Sequence, residues 1–144
     1  MEWTYIVPIG HALANGLKEN ELLVHHHLVV RAELSAPPTD PVYITEWKRN
    51  LVKAIGMKIL MGPYATYSDM IGNRGLTVAT VIETSHIVLH VWDEESPGVM
   101  QLDVYSCAEF DKNTIFKAIE EFEPTHIDFK FLDRTDGFIT TLDR

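Results

Sequence analysis

Hydrophobic and polar positions follow two different periods along this chain, and each period predicts a different kind of element. Runs rich in Leu, Val, Ile and aromatic residues, in part alternating with polar ones, predict strands. These runs lie at 22–34, 76–83, 87–92, 99–105 and 127–131. The second, third and fourth are joined by short connections, which favours antiparallel hairpins.

Two other segments carry apolar residues three and four positions apart, the spacing of one face of a helix. The stripe of the first helix consists of Ile44, Trp47, Leu51, Ile55 and Ile59. Thr45 is predicted to cap this helix and Gly62-Pro63 to end it, with a loop following to about Asn73. Asp111 is predicted to cap the second helix, which Pro124 ends.

The predicted order is strand, helix, three strands, helix, strand. This order predicts an α+β fold, a two-layer sandwich in which an antiparallel sheet carries both helices on one face. The other face is then open or covered by a second subunit. A length of 144 residues fits one domain, 1–144, with residues 1–20 as an extension that shows no regular pattern.

Composition and charge narrow the classes of partner. The net charge is −9, from 21 acidic and 12 basic side chains, so the basic footprint of a nucleic-acid binder is missing. An acidic surface favours a cationic substrate, although solubility alone also explains it. One cysteine, Cys107, allows no intrachain disulfide, and no signal-peptide pattern or long apolar run is visible. We therefore expect a cytoplasmic protein that does not enter membranes.

Histidines and acidic residues occur in short runs that resemble metal-binding sequences only superficially. In a strand, His25 and His27 lie on one face and His26 on the other. No His-Glu-x-x-His or Cys-x-x-Cys spacing accompanies them, and the run 93–95 is typical of a solvated turn. We predict no metal site and interpret the histidines as sheet or interface residues.

The stretch from Thr77 to Cys107 holds the residue types of a covalent site. It offers the hydroxyl of Ser85, two histidines and a lone thiol one hairpin away. Ser85 and His90 are five residues apart, so a regular strand places them on opposite faces, and their meeting requires the turn or a bulge. From the residues alone, a catalytic site and three strands with incidental polar residues both stay open.

Residues 85–94 read Ser-His-x-x-x-His-x-Trp-x-Glu, and residues 103–107 read Asp-x-Tyr-Ser-Cys. This pattern resembles the central signature of the prokaryotic S-adenosylmethionine decarboxylase proenzymes, which are pyruvoyl-dependent. The resemblance is strongest over about thirty residues, and the element order extends it more weakly over 26–131.

The resemblance implies self-cleavage between Thr84 and Ser85. The Oγ of Ser85 would attack the Thr84 carbonyl, and elimination would then leave fragments of 84 and 60 residues with a pyruvoyl group at position 85. His90 and Thr77 match the family residues that assist this processing.

The resemblance also implies roles in the decarboxylation. The pyruvoyl carbonyl would form a Schiff base with the substrate amine and accept the electrons released with CO₂. Cys107 matches the acid that reprotonates the product, and Glu94 matches the carboxylate that holds the ribose hydroxyls. Buried packing for Cys107 and a turn role for Glu94 are the alternatives, and Trp92 is expected in the core.

Departures from the family pattern concentrate around substrate binding. Thr84 stands where the family has glutamate, and Asp93 stands where it has proline. The family's adenine-stacking aromatic aligns with Ile71, while Tyr67 takes its place only after a shift in alignment.

Three hypotheses therefore remain. The first is an S-adenosylmethionine decarboxylase that supplies spermidine synthesis, the second a pyruvoyl-dependent arginine or ornithine decarboxylase, and the third a non-processing, ligand-binding or regulatory relative. The family implies a homodimer or a larger homo-oligomer.

Overall fold

The computed structural model of the chain describes residues 23–142. The elements, in chain order, are β1 (His26–Leu34), α1 (Pro41–Ala54), β2 (Ile59–Ser68), β3 (Gly75–Ile82), β4 (Ser85–Trp92), β5 (Gly98–Ser106), α2 (Lys112–Ile119), a 3₁₀ turn (Glu120–Phe122), β6 (Pro124–Asp133) and β7 (Thr140–Thr141). The extension predicted at residues 1–20 lies outside the described residues.

Within that range the strands form one antiparallel sheet in the order β2-β3-β4-β5-β1-β6-β7. Alternate residues of the central strands are fully buried, among them Leu28, Leu89 and Leu102, and they pack with apolar residues of both helices. Both helices therefore cover one face, the core face, and the predicted α+β two-layer sandwich is confirmed. The residues between them point to the uncovered side, which we call the open face.

The first helix begins four residues before the predicted cap. Asp40, with extended backbone, accepts a hydrogen bond from the Val42 amide at 2.8 Å, and Pro41 occupies the first turn. Thr45 lies inside the helix, where its hydroxyl donates to the Val42 carbonyl. The prediction of Thr45 as cap was wrong, because the Asp-Pro pair supplies a cap that the apolar stripe does not mark.

Strand β2 was not predicted. The sequence analysis ended a helix at Gly62-Pro63 and placed a loop to Asn73, but 59–68 pair with β3 at the edge of the sheet. The register of this pair shifts around Met61 and Tyr64, next to the proline. Proline lacks an amide hydrogen, and edge strands and bulges are where a sheet tolerates it.

The other predicted elements are confirmed. Most of their ends lie within two residues of the predicted positions. The β3–β4–β5 hairpins, the second helix with Asp111 as its cap, and the last long strand all form. The first strand begins at His26, four residues later than predicted.

Helix α1 carries one charged residue into the core. Lys48 is 0% exposed, and its Nζ has no hydrogen-bond partner among the described residues. Burial lowers the pKa of this amine to about 7, because the protonated form loses its hydration.

Candidate active site

The connection between β3 and β4 consists of two residues, Glu83 and Thr84, because Ile82 pairs directly with Ser85. Thr84 has a φ of 52°, a left-handed conformation that is rare for a β-branched residue. Such a conformation costs about 1–3 kcal/mol and persists only where the surroundings enforce it. The predicted scissile bond therefore follows a strained residue.

Cys107 lies beside this connection, just beyond the end of β5. Its amide donates a hydrogen bond to Ser85 Oγ at 2.8 Å, and its Sγ donates to the Glu83 carbonyl at 3.3 Å. Ser85 is only 8% exposed, and Cys107 is half-buried. We call Glu83, Thr84, Ser85 and Cys107 the cleavage cluster.

Thr77 and His90 form a second polar group. They face each other across β3 and β4, and Thr77 Oγ1 lies 2.9 Å from His90 Nδ1. Both point to the open face, because their neighbours Leu76, Val78 and Leu89 are buried in the core.

The two groups are separated within one chain. Ser85 and His90 lie on opposite faces of β4, whose pairing with both neighbours is continuous, so no bulge brings them together. Five strand residues span about 16 Å. The meeting of Ser85 and His90 that a single-chain mechanism requires is therefore not observed.

The predicted substrate-binding residues lie beyond the far end of β4. Glu94 is exposed, and both of its carboxylate oxygens accept from the Gly72 amide, at 2.8 and 3.1 Å. Ile71, in the same turn, is 92% exposed. The hydroxyl of Tyr67 donates to both oxygens of Asp93, at 2.8 and 3.0 Å.

Asp93 also anchors Arg74, whose Nε donates to it at 3.0 Å. The hydrogen bond to Asp93, with burial, raises the pKa of Tyr67, and the same carboxylate raises the pKa of Arg74. Asp93 thus joins the start of β3 to the end of β4.

Trp92 does not lie in the core, and that prediction was wrong. It is half-buried on the open face, two residues from His90, with ring centroids 6.0 Å apart. Its indole nitrogen donates to Asn73 Oδ1 at 2.9 Å. Strand alternation places residue 92 on the same face as His90. The prediction of a core position followed the apolar character of tryptophan and not this alternation.

The structure brings together a third group that sequence reasoning missed. His27 Nε2 and His86 Nε2 lie 2.8 and 3.0 Å from the same oxygen, Oδ1 of Asp103. Burial raises the pKa of Asp103, but the hydrogen bonds and charges of the two imidazoles outweigh it, so this pKa lies below its ordinary value. No local sequence spacing predicts this group, because its three residues belong to β1, β4 and β5.

Comparisons with known proteins agree with the resemblance. The profile of the S-adenosylmethionine decarboxylase family matches residues 27–135. An S-adenosylmethionine decarboxylase proenzyme of Pyrobaculum arsenaticum is 38% identical over 65 residues, 44% of this chain and half the length of that protein. A proenzyme of the same description from Clostridium botulinum is 28% identical over 88 residues, 54% of this chain and 71% of that protein.

A similar fold occurs in the crystal structure of the adenosylmethionine decarboxylase from Aquifex aeolicus. The TM-score is 0.58 at 21% identity, over 81% of this chain and 94% of that one. Among residues 23–142, no helix combines the length and apolar character required to cross a membrane. The family profile spans the sheet from β1 to β6, including Ser85 and Cys107, and the chain therefore belongs to the S-adenosylmethionine decarboxylase family.

Proposed function

We propose that the chain is a self-processing, pyruvoyl-dependent decarboxylase that acts on S-adenosylmethionine and supplies spermidine synthesis. The observation that carries this proposal is the cleavage cluster. In it, Ser85 follows the strained Thr84, and Ser85 Oγ accepts a hydrogen bond from the Cys107 amide. The names of the relatives, S-adenosylmethionine decarboxylase proenzymes, support the same reaction.

Self-cleavage uses only atoms of the chain and water. Ser85 Oγ attacks the Thr84 carbonyl carbon, and the peptide nitrogen leaves, which converts the amide to an ester. Loss of the Ser85 Hα and of the Cβ–Oγ bond then releases the Thr84 carboxylate and leaves dehydroalanine at 85, which water converts to the pyruvoyl group and ammonia. Two features favour the attack: the Cys107 amide stabilises charge on Oγ, and cleavage relieves the strain at Thr84.

The residues around position 85 fit this group, because the Cys107 amide already contacts Ser85 Oγ and the Cys107 thiol lies against the carbonyl of Glu83, two residues before Ser85. Once formed, the pyruvoyl group supplies an electron sink for decarboxylation. Cys107 holds its thiol hydrogen toward the Glu83 carbonyl at 3.3 Å, and cleavage frees this segment. The thiol is then the acid beside the reacting carbon.

We further propose that the active unit is a homodimer whose sites combine both subunits. Thr77, His90 and Glu94 are too distant from Ser85 of the same chain to assist it, since Ser85 and Trp92 alone span about 23 Å of strand. All three lie on the open face or at its far end. A two-fold axis over this face would set the β3–β4 connection of one subunit, where the Thr84–Ser85 bond lies at the end of the sheet, beside Thr77 and His90 of the other.

An intact-mass measurement on the purified protein tests the processing. We expect two fragments, of 84 and 60 residues, with the smaller blocked by a pyruvoyl group at its first position. Ser85→Ala should stay full-length, and Thr80→Ala, which removes a buried hydroxyl on β3, is the matched control. If the wild-type chain stays intact after prolonged incubation, the proposal is wrong and the protein is a non-processing relative.

A complementation experiment tests the shared site. Ser85→Ala and His90→Ala chains with different tags are co-expressed; we expect neither to cleave alone and the His90→Ala chain to cleave in the mixture. His126→Ala, an exposed histidine on β6, is the control that should cleave alone. Full cleavage of His90→Ala alone, or none in the mixture, contradicts the shared site.

Release of CO₂ from carboxyl-labelled substrates tests specificity. We expect turnover of S-adenosylmethionine, with ornithine and arginine as the comparison.

A second candidate function is an arginine or ornithine decarboxylase. Ile71 is an exposed aliphatic residue, and the hydroxyl of Tyr67 is bound to Asp93, so neither position offers an aromatic ring that is free to stack on adenine. All three substrates are cationic, as the net charge of −9 favours, and a cytoplasmic location fits the single cysteine.

A further inference from the structure

The group formed by His27, His86 and Asp103 has the geometry of a ligand set. One nitrogen of each histidine and one oxygen of Asp103 all lie within 4.8 Å of one another. The three residues come from adjacent strands in the order β4, β5, β1, so the sheet fixes their backbones. Within one chain, the side chain of His27 is 15% exposed and those of His86 and Asp103 are 44% and 41% exposed, so the group is reached from the open face.

We propose that His27, His86 and Asp103 bind a divalent transition-metal ion of the Zn²⁺ type, with water completing the coordination. Two imidazole nitrogens and a carboxylate oxygen form the donor set that zinc takes in three-ligand sites. Both imidazoles already direct Nε2 at one oxygen of Asp103. An ion placed among these atoms needs side-chain shifts only, without movement of the strands.

Arg134 competes with the ion. Its NH1 donates to His27 Nδ1 at 3.0 Å, so in the metal-free protein the His27 hydrogen lies on Nε2 and is donated to Asp103. Metal binding through Nε2 moves that hydrogen to Nδ1, and Arg134 must withdraw. It is exposed, and its guanidinium already lies 4.8 Å from the centre of the Tyr105 ring, which remains a partner.

The proposed ion joins two parts of the chain that lie on either side of the Thr84–Ser85 bond. His27 belongs to residues 1–84, whereas His86 and Asp103 belong to residues 85–144. The site itself does not rest on the proposed function, since its ligands are present whether or not the bond is cut.

Metal binding is measured on full-length Ser85→Ala protein, which removes cleavage as a variable. The probes are Zn²⁺, by titration calorimetry after chelator treatment, and Co²⁺, by its visible absorption. We expect one equivalent with micromolar or tighter affinity, and a loss of at least 100-fold in His27→Gln and in Asp103→Asn. His126→Gln is the matched control, because its exposed pair with Asp128 offers two ligands instead of three.

Arg134→Gln provides a second test that does not remove a ligand. We expect it to tighten Zn²⁺ binding several-fold, because the competing donor is gone and an amide oxygen can accept the Nδ1 hydrogen. Unchanged affinity in the His27 and Asp103 variants, or millimolar binding in the parent, overturns the proposal. If a ligand variant fails to fold, an absent Co²⁺ band of tetrahedral intensity in the folded parent overturns it equally.

Discussion

At the scale of single residues, the most unusual feature of the core is the buried amine of Lys48. Lys48 lies on the same buried face of α1 as the apolar residues Ile44 and Leu51, at the spacing that the helical period requires. The sequence therefore predicts that this face is buried, but it cannot predict that a lysine is carried into the core with it. A free amine near neutrality is the physical consequence, since its pKa falls to about 7.

We expect Lys48→Met to stabilise the protein. An unfolded lysine titrates near 10.5 and the folded one near 7, so between these values the unfolded state binds more protons and stability rises with pH. Below about pH 7 the penalty is complete, on the order of 5 kcal/mol. Urea unfolding from pH 6 to 9.5 should show a flat difference below 7 and a shrinking one above it. Exposed Lys53→Met is the control, and equal profiles for both variants contradict the argument.

The strain at Thr84 leads to another expectation. In the uncleavable Ser85→Ala background, Thr84→Asn should raise the free energy of unfolding by about 1 kcal/mol, because asparagine adopts left-handed backbone more easily. Thermal unfolding measures the change. Thr140→Asn, at an exposed position in β7, should leave stability within about 0.5 kcal/mol, and a similar gain there refutes the role of the backbone.

Among the site residues, the sequence predicted the contacts that follow from neighbouring strands. Thr77 opposite His90, and Cys107 beside Ser85, follow once three hairpin strands are placed in order. The spacing of Ser85 and His90 also predicted opposite faces, which the structure shows. The His27–Asp103–His86 group was beyond reach, because strand β1 inserts next to β5 from 76 residues away.

At the scale of elements, the errors share one physical cause: a residue type was given its commonest role. Gly62-Pro63 predicted the end of a helix, yet an edge strand with a shifted register accommodates both residues. Asp40 before Pro41 is a cap that precedes the apolar stripe, so periodicity alone placed the start of α1 too late. The same helix ends at Ala54, so Ile55 and Ile59 of the predicted stripe lie outside it. Strands β3, β4 and β5 and helix α2 were predicted correctly, because core burial dictates their patterns.

The close approach of β3 and β4 can be tested at Gly75. A Cβ at this position would lie 1.8 Å from the Val91 carbonyl oxygen, and φ is 151°. Gly75→Ala should therefore destabilise the protein by about 3 kcal/mol or more, measured by urea unfolding. Gly56→Ala is the control, because it also has positive φ but open space around it, and should cost about 1 kcal/mol. Equal losses would show that backbone conformation alone matters.

At the scale of the whole molecule, the strand order interleaves the two predicted fragments. Residues 1–84 contribute β1, β2 and β3, and residues 85–144 contribute β4 to β7. The pairings β3–β4, β5–β1 and β1–β6 therefore all join one fragment to the other.

We expect the cleaved fragments to remain together under native conditions. Size-exclusion chromatography followed by a denaturing gel should show both fragments in one peak, separated only in denaturant. Elution of either fragment alone in native buffer would contradict the interleaved sheet.

Because the fragments interleave in the sheet, refolding after cleavage would differ from the first folding of the intact chain. The intact chain reaches its sheet as a unimolecular process, with the Glu83-Thr84 connection holding β3 and β4 at high effective concentration. After the proposed cut, any return from the unfolded state is bimolecular and slows with dilution. A processed molecule would therefore keep its fold through the slow rate of its unfolding, and the Glu83-Thr84 connection would guide folding only once.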